Sequence, residues 1–283
     1  MSTLSTVWAI SLSSLISGAS SPTLISSISN YQINANSGSN QQEKVVNLKN
    51  DHHETSISSK LIKPKYVIEF SAIAENEWLI LVNKQPTFKV KDLPSAAIAT
   101  AKLVAIMNTP NFDPKGLVPV AIKGEYIGKY QDVTLFKISK PEVVNPSLNL
   151  TQWINNLRVA AGAEPLTLTE AQKQMYKLAL TDEQIDGIAS WYGPYFQGRQ
   201  TASGEQFEQQ DFTAAHPSLP FDTYLKVTNQ SNGKSVVVRI NDRGPYVGER
   251  NLDLSYAAAI ALNSDEIGVV PITATVLVPF STN

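Results

Sequence analysis

The residues able to do chemistry gather in the last third of this 283-residue chain. Asp242 lies in Asn241-Asp242-Arg243-Gly244-Pro245, directly after the apolar run Val236 to Ile240. A strand-like segment therefore delivers a carboxyl group to a Gly-Pro turn, and loops held on rigid strands commonly present functional groups. Two readings stand: a turn aspartate bonded to its own backbone, or a proton donor and acceptor. Glu205, in Thr201-Ala202-Ser203-Gly204-Glu205, is a second carboxylate that either works with Asp242 or is a solvated loop charge. His216 closes Phe212-Thr213-Ala214-Ala215-His216; it is either a packed histidine or one that bonds substrate or orients a carboxylate. For Asp242 to carry a proton near neutral pH it needs burial or a neighbouring negative charge, and Glu205 is the natural source of the latter.

Trp191, Tyr192, Tyr195, Phe196 and Tyr246 surround these groups in sequence. Their flat faces suit sugar C–H faces, though core packing should claim about half of them. Ser203 shares the Glu205 loop and is counted with the substrate-contacting residues. Arg243 has Asp253 or Glu249 as candidate partners, and Asp253 itself reads as a helix cap or a support of the fold.

These groups must be positioned by strands. Val227-Thr228, the Asn232-Gly233 turn and Val236 to Ile240 form a hairpin signal. Val270, Ile272, Ala274, Val276 and Val278 alternate with other residues as a half-buried final strand. A short helix over Tyr256 to Leu262 is capped by Ser255 or Asp253. Many short strands and one brief helix in roughly 100 residues predict a small closed β-barrel.

Upstream, Trp78 to Val82, Val118 to Ile122, Gly124 to Ile127 and Val133 to Ile138 read as strands. Pro94 to Met107 and Leu150 to Ala161 read as helices. The organisation expected is a possible signal peptide at 1–22, a disordered low-complexity linker at 23–62, a small α+β domain at 63–163, a connector at 164–184 and the barrel at 185–283. No chemistry is assigned to 63–163. Val7 to Ala19 has the length of a secretory hydrophobic region and is too short to span a bilayer. No Lys or Arg precedes Lys44, so the usual charged leader is missing.

Net charge is −2, and no basic cluster offers a face for phosphates, so a nucleic-acid partner is not expected. The chain has no cysteine and three histidines. Thiol catalysis and disulfides are excluded, a lipid-modified Cys is absent, and neither a metal site nor a cofactor is implied.

Gly187-Ile188-Ala189-Ser190-Trp191-Tyr192-Gly193, Thr201 to Glu205, Phe212 to His216, Leu219-Pro220-Phe221, Asn241 to Pro245 and Asp253-Leu254-Ser255 come in an order and spacing that closely resembles the rare lipoprotein A (RlpA) family. The resemblance covers about 185–283. It implies a six-stranded double-psi β-barrel, shared with expansins, and lytic cleavage of peptidoglycan between N-acetylmuramic acid and N-acetylglucosamine. The glycan strands would be free of stem peptides, and the products would end in 1,6-anhydro-muramyl groups. Asp242 matches the family's acid/base position, and Glu205 and His216 match further active-site positions. The resemblance also implies a periplasmic or envelope location and possible cell-division partners; a secreted monomer without a lipid anchor is the expectation. The alternative is an expansin-like module that binds or loosens the wall without cutting it, and a weaker third reading is a hydrolase with Glu205 activating water.

Overall fold

A computed structural model describes residues 64–138 and 143–280. The possible signal peptide at 1–22 and the linker at 23–62 lie outside the described residues. The described residues form one compact unit with two principal hydrophobic cores.

The first core is enclosed by two successive units of three strands and a helix. β1 (Ile68–Ala74), β2 (Glu77–Val82) and β3 (Gln85–Val90) make an antiparallel sheet, followed by α1 (Leu93–Met107). β4 (Leu117–Ile122), β5 (Glu125–Tyr130) and β6 (Val133–Ile138) repeat the pattern, followed by α2 (Pro146–Ala160). Both helices begin alike: Asp92 and Asn145 cap them with side-chain oxygens, and a proline occupies the first turn. Ile80, Phe88, Leu103, Leu117, Leu150 and Ile154 fill the space between them.

α3 (Leu168–Tyr176) starts with a complete capping box, Thr167 with Glu170. It leads into β7 (Leu178–Trp191), then β8 (Thr213–Ala215), β9 (Tyr224–Asn229), β10 (Ser235–Asp242), β11 (Leu252–Leu254), α4 (Tyr256–Leu262) and β12 (Val270–Pro279). The six strands close into a barrel in the order β10-β8-β11-β7-β12-β9. Two parallel pairs, β8 with β10 and β7 with β11, interlock through antiparallel neighbours in the double-psi manner. Alternation along β10 and β12 sends Val236, Val238, Ile240, Ile272 and Ala274 into the barrel.

β7 begins within the stretch read from sequence as a connector. Its N-terminal half is polar and largely exposed, so the apolar alternation that marks a strand is diluted there, while pairing with β12 continues to Leu178. The predicted hairpin, final strand and Ser255-capped helix are present.

Candidate active site

β10 carries the central carboxyl, and α3 holds that strand in place. Gln172, fully buried, donates its amide N–H to the Val237 carbonyl at 2.9 Å and accepts the Val237 N–H at 2.8 Å. β8 pairs with β10 only from Arg239 onward. Gln172 thus takes the place of a strand before that point and satisfies a backbone pair that burial would otherwise leave unpaired.

Asp242 ends β10, level with Ala215 of β8, and Ala215 is level with Asp253 of β11. Residues in one cross-strand row face the same side of a sheet. Asp242 and Asp253 therefore share a face, two strands apart, or roughly 10 Å between backbones. The intervening side chain is a fully buried alanine.

Three donors converge on Asp242. Oδ1 accepts the backbone N–H of Ala202 and that of Arg243, each at 2.8 Å. Oδ2 accepts the Tyr192 hydroxyl at 2.9 Å. Backbone N–H groups can only donate, whereas a hydroxyl can turn and accept. Oδ2 is therefore the oxygen on which a transferable proton fits. Burial first, and then the Asp242 charge, push the Tyr192 phenol up, so Tyr192 stays protonated. Its ring is fixed by Phe196 at 5.2 Å and Phe207 at 5.0 Å.

The Ala202 donor comes from a loop closed on itself. Thr201 N–H bonds the Glu205 carbonyl at 2.7 Å, and Gly204 takes φ +92°, a conformation that favours glycine. Ser203 N–H reaches the Asn241 carbonyl at 3.3 Å, and its hydroxyl meets that of Thr201 at 3.0 Å.

Glu205 is held by Arg239 through two parallel bonds of 2.8 and 2.7 Å, and by the Asn241 amide at 3.1 Å. Arg239 also bonds Asp222 at 2.8 Å. The bonds to Glu205 outweigh burial and keep the guanidinium charged. The Glu205 charge is thereby matched by a cation. Sequence reasoning singled out Glu205 and missed Arg239, which lies 34 residues away and has no motif of its own.

His216 Nδ1 accepts the backbone N–H groups of Ser218 and Leu219 at 3.1 and 2.9 Å. That leaves the proton on Nε2. Burial, then the nearby Arg243, lower its pKa from 6.5. Arg243 lies over the Phe221 ring at 3.8 Å and donates to the His216 carbonyl at 3.4 Å. Asp253 instead pairs with Arg250 at 3.2 Å and accepts a short hydrogen bond from Ser190.

The aromatic candidates separate. Tyr195 and Tyr246 are 84% and 78% exposed, so their faces are open to a ligand. Trp191 packs on Tyr256 at 5.1 Å, and its indole N–H bonds the Asp265 carbonyl. It lies against the barrel core rather than with the exposed rings.

The fold is therefore a double-psi β-barrel with an acid at the end of one strand. A family model described as "Lytic transglycolase" matches residues 184–274. A protein of Synechocystis sp. called "Probable endolytic peptidoglycan transglycosylase RlpA" is 48% identical over 158 residues, covering 51% of this chain and 49% of that one. One of Aquifex aeolicus with the same name is 39% identical over 165 residues, covering 55% of this chain and 73% of the relative. An "Endolytic peptidoglycan transglycosylase RlpA" of Campylobacter jejuni is 51% identical over 90 residues, 32% of this chain and 33% of that one. Among solved structures, apo Clavibacter michiganensis expansin is 24% identical with a TM-score of 0.29, covering 35% of this chain and 52% of the expansin. The chain belongs to the RlpA family. It spans about half the length of the Synechocystis relative.

Proposed function

We propose that this chain is a lytic transglycosylase acting on stem-free peptidoglycan glycan strands, with Asp242 as acid and then base. The observation that carries the reading is the asymmetric clamp on Asp242: Oδ1 is bound by two N–H groups, and Oδ2 faces a hydroxyl.

In the first step the Oδ2 proton passes to the glycosidic oxygen as the C1–O bond breaks. The resulting carboxylate then accepts the proton of the muramyl 6-hydroxyl, whose oxygen bonds to C1. The proton returns to Oδ2, no water is consumed, and the new end is 1,6-anhydro. One carboxyl in both roles departs from the two-carboxylate scheme of ordinary glycosidases. Glu205, paired with Arg239, holds the Thr201–Glu205 loop against β10. His216, neutral, offers Nε2–H to the substrate, and Tyr195, Tyr246 and Ser203 contact the strand.

Such a substrate lies in the cell envelope, so the protein acts there. Among the described residues no helix is long and apolar enough to cross a membrane. Partners in cell division fit a wall-cutting role. The test is mass analysis of products after incubating the full chain with stem-free strands. Anhydro ends support the reading. Reducing ends would replace it with hydrolysis through Glu205, and intact strands retained on the protein would replace it with a binding module.

A further inference from the structure

A cleft of about 360 Å³ opens where β4 and β5 meet the barrel, a volume typical of ligand sites. Tyr126, Tyr176 and Tyr224 line it, with Ser147, Lys123 and Arg239. Tyr126 and Lys123 belong to the α+β half, while Tyr224 and Arg239 belong to the barrel. We propose that this cleft is a distal saccharide subsite, in which the α+β half extends the glycan groove of the barrel.

Three observations carry it. The first is composition: phenol rings supply flat apolar faces beside hydroxyl, guanidinium and ammonium donors, the mixture that a sugar ring with its hydroxyl groups needs. The Tyr176 and Tyr224 rings already lie 5.2 Å apart. The second is weak hydrogen bonding between lining phenols. The Tyr126 and Tyr176 hydroxyls are 3.5 Å apart, at the outer limit of a bond. Tyr126 is half-buried, and a hydroxyl in so long a bond can turn to a ligand's hydroxyl instead. The third is alignment. Arg239, in the cleft wall, bonds Glu205, and Asp242 lies three residues further along the same strand. Three residues of strand span roughly 10 Å, within reach of one short oligosaccharide. The subsite accounts for a half of the protein to which the sequence assigned no chemistry.

This inference rests on the reading of the substrate as glycan, and the experiment separates the two. The full chain carrying Asp242→Asn, labelled at tyrosine ring carbons, is titrated with stem-free glycan oligosaccharides and followed by NMR. The Tyr126, Tyr176 and Tyr224 signals should shift in step with Tyr246. Tyr126→Ala, added to Asp242→Asn, should weaken binding of long oligosaccharides about tenfold, the size of losing one stacked ring. Shifts at Tyr246 with none in the cleft would overturn the subsite and spare the catalytic reading. Shifts in the cleft with none at Tyr246, and no cleavage by the unsubstituted chain, would keep the subsite and remove the catalytic reading. Cleft shifts only with peptide-bearing strands, or no shift anywhere, would also overturn the saccharide subsite.

Discussion

Tyr192 donates its phenolic hydrogen to Oδ2 of Asp242 at 2.9 Å, while two backbone donors converge on the other oxygen. The side chain is thereby fixed in one orientation, with the hydroxyl-facing oxygen distinguished from its twin. In the proposed mechanism Tyr192 would act through Asp242, as a positioning residue.

Tyr192→Phe removes that hydroxyl and keeps the ring between Phe196 and Phe207. A hydrogen bond to a charged group is worth about 1.5–3 kcal/mol. Steady-state kinetics on stem-free strands should show kcat lower by about tenfold to a hundredfold with KM little changed. A rise in KM at constant kcat would mean that Tyr192 serves only binding.

Glu205→Gln breaks the paired bonds to Arg239, leaving Asp222 as the remaining carboxylate partner of Arg239. The Glu205 side chain is 45% exposed, so urea unfolding should register a loss of about 1 kcal/mol or less. Cleavage should fall far more than stability does, because the same loop supplies the Ala202 donor to Asp242.

Gln172→Ala leaves the Val237 N–H and carbonyl without their buried partners. Each unsatisfied group costs about 1–3 kcal/mol. Thermal denaturation should therefore show a large fall in Tm, and the loss should be greater than that from an exposed position on α3 such as Gln174→Ala.

The His216 pKa is lowered in the folded protein, so the unfolded chain binds the proton more readily. The stability from neutral His216 is full above 6.5 and is lost as pH falls from there through the lowered folded value. His216→Asn keeps a side-chain acceptor and removes the titration. Urea midpoints measured from pH 7 downward should fall more steeply for the unsubstituted chain than for the variant; parallel curves would contradict the account.

How much of this was legible in the sequence depended on the range of the interaction. The β9–β10 hairpin announces itself through Asn232-Gly233 and alternation on either side, and α4 through Ser255 ahead of an alanine-rich turn. Asp242, Glu205 and His216 were singled out through motif order. Arg239, Gln172 and Arg250 were not, because their partners lie 34, 65 and 60 residues away for Glu205, Val237 and Ser190. Trp191 illustrates the converse. Its neighbours in sequence suggest a sugar platform, yet parity along β7 turns it toward Tyr256 while Tyr192 faces Asp242. The cleft beside Tyr126 and Tyr224 was invisible for the same reason, since its walls come from two halves of the chain.

The most direct test of the central claim is the product mass from stem-free glycan strands cut by the unsubstituted chain and by Asp242→Asn. The substitution preserves size and an oxygen able to accept a hydrogen bond, so circular dichroism should be unchanged. The account predicts fragments one water lighter than hydrolysis products from the first protein and none from the second. Undiminished anhydro products from Asp242→Asn would contradict it.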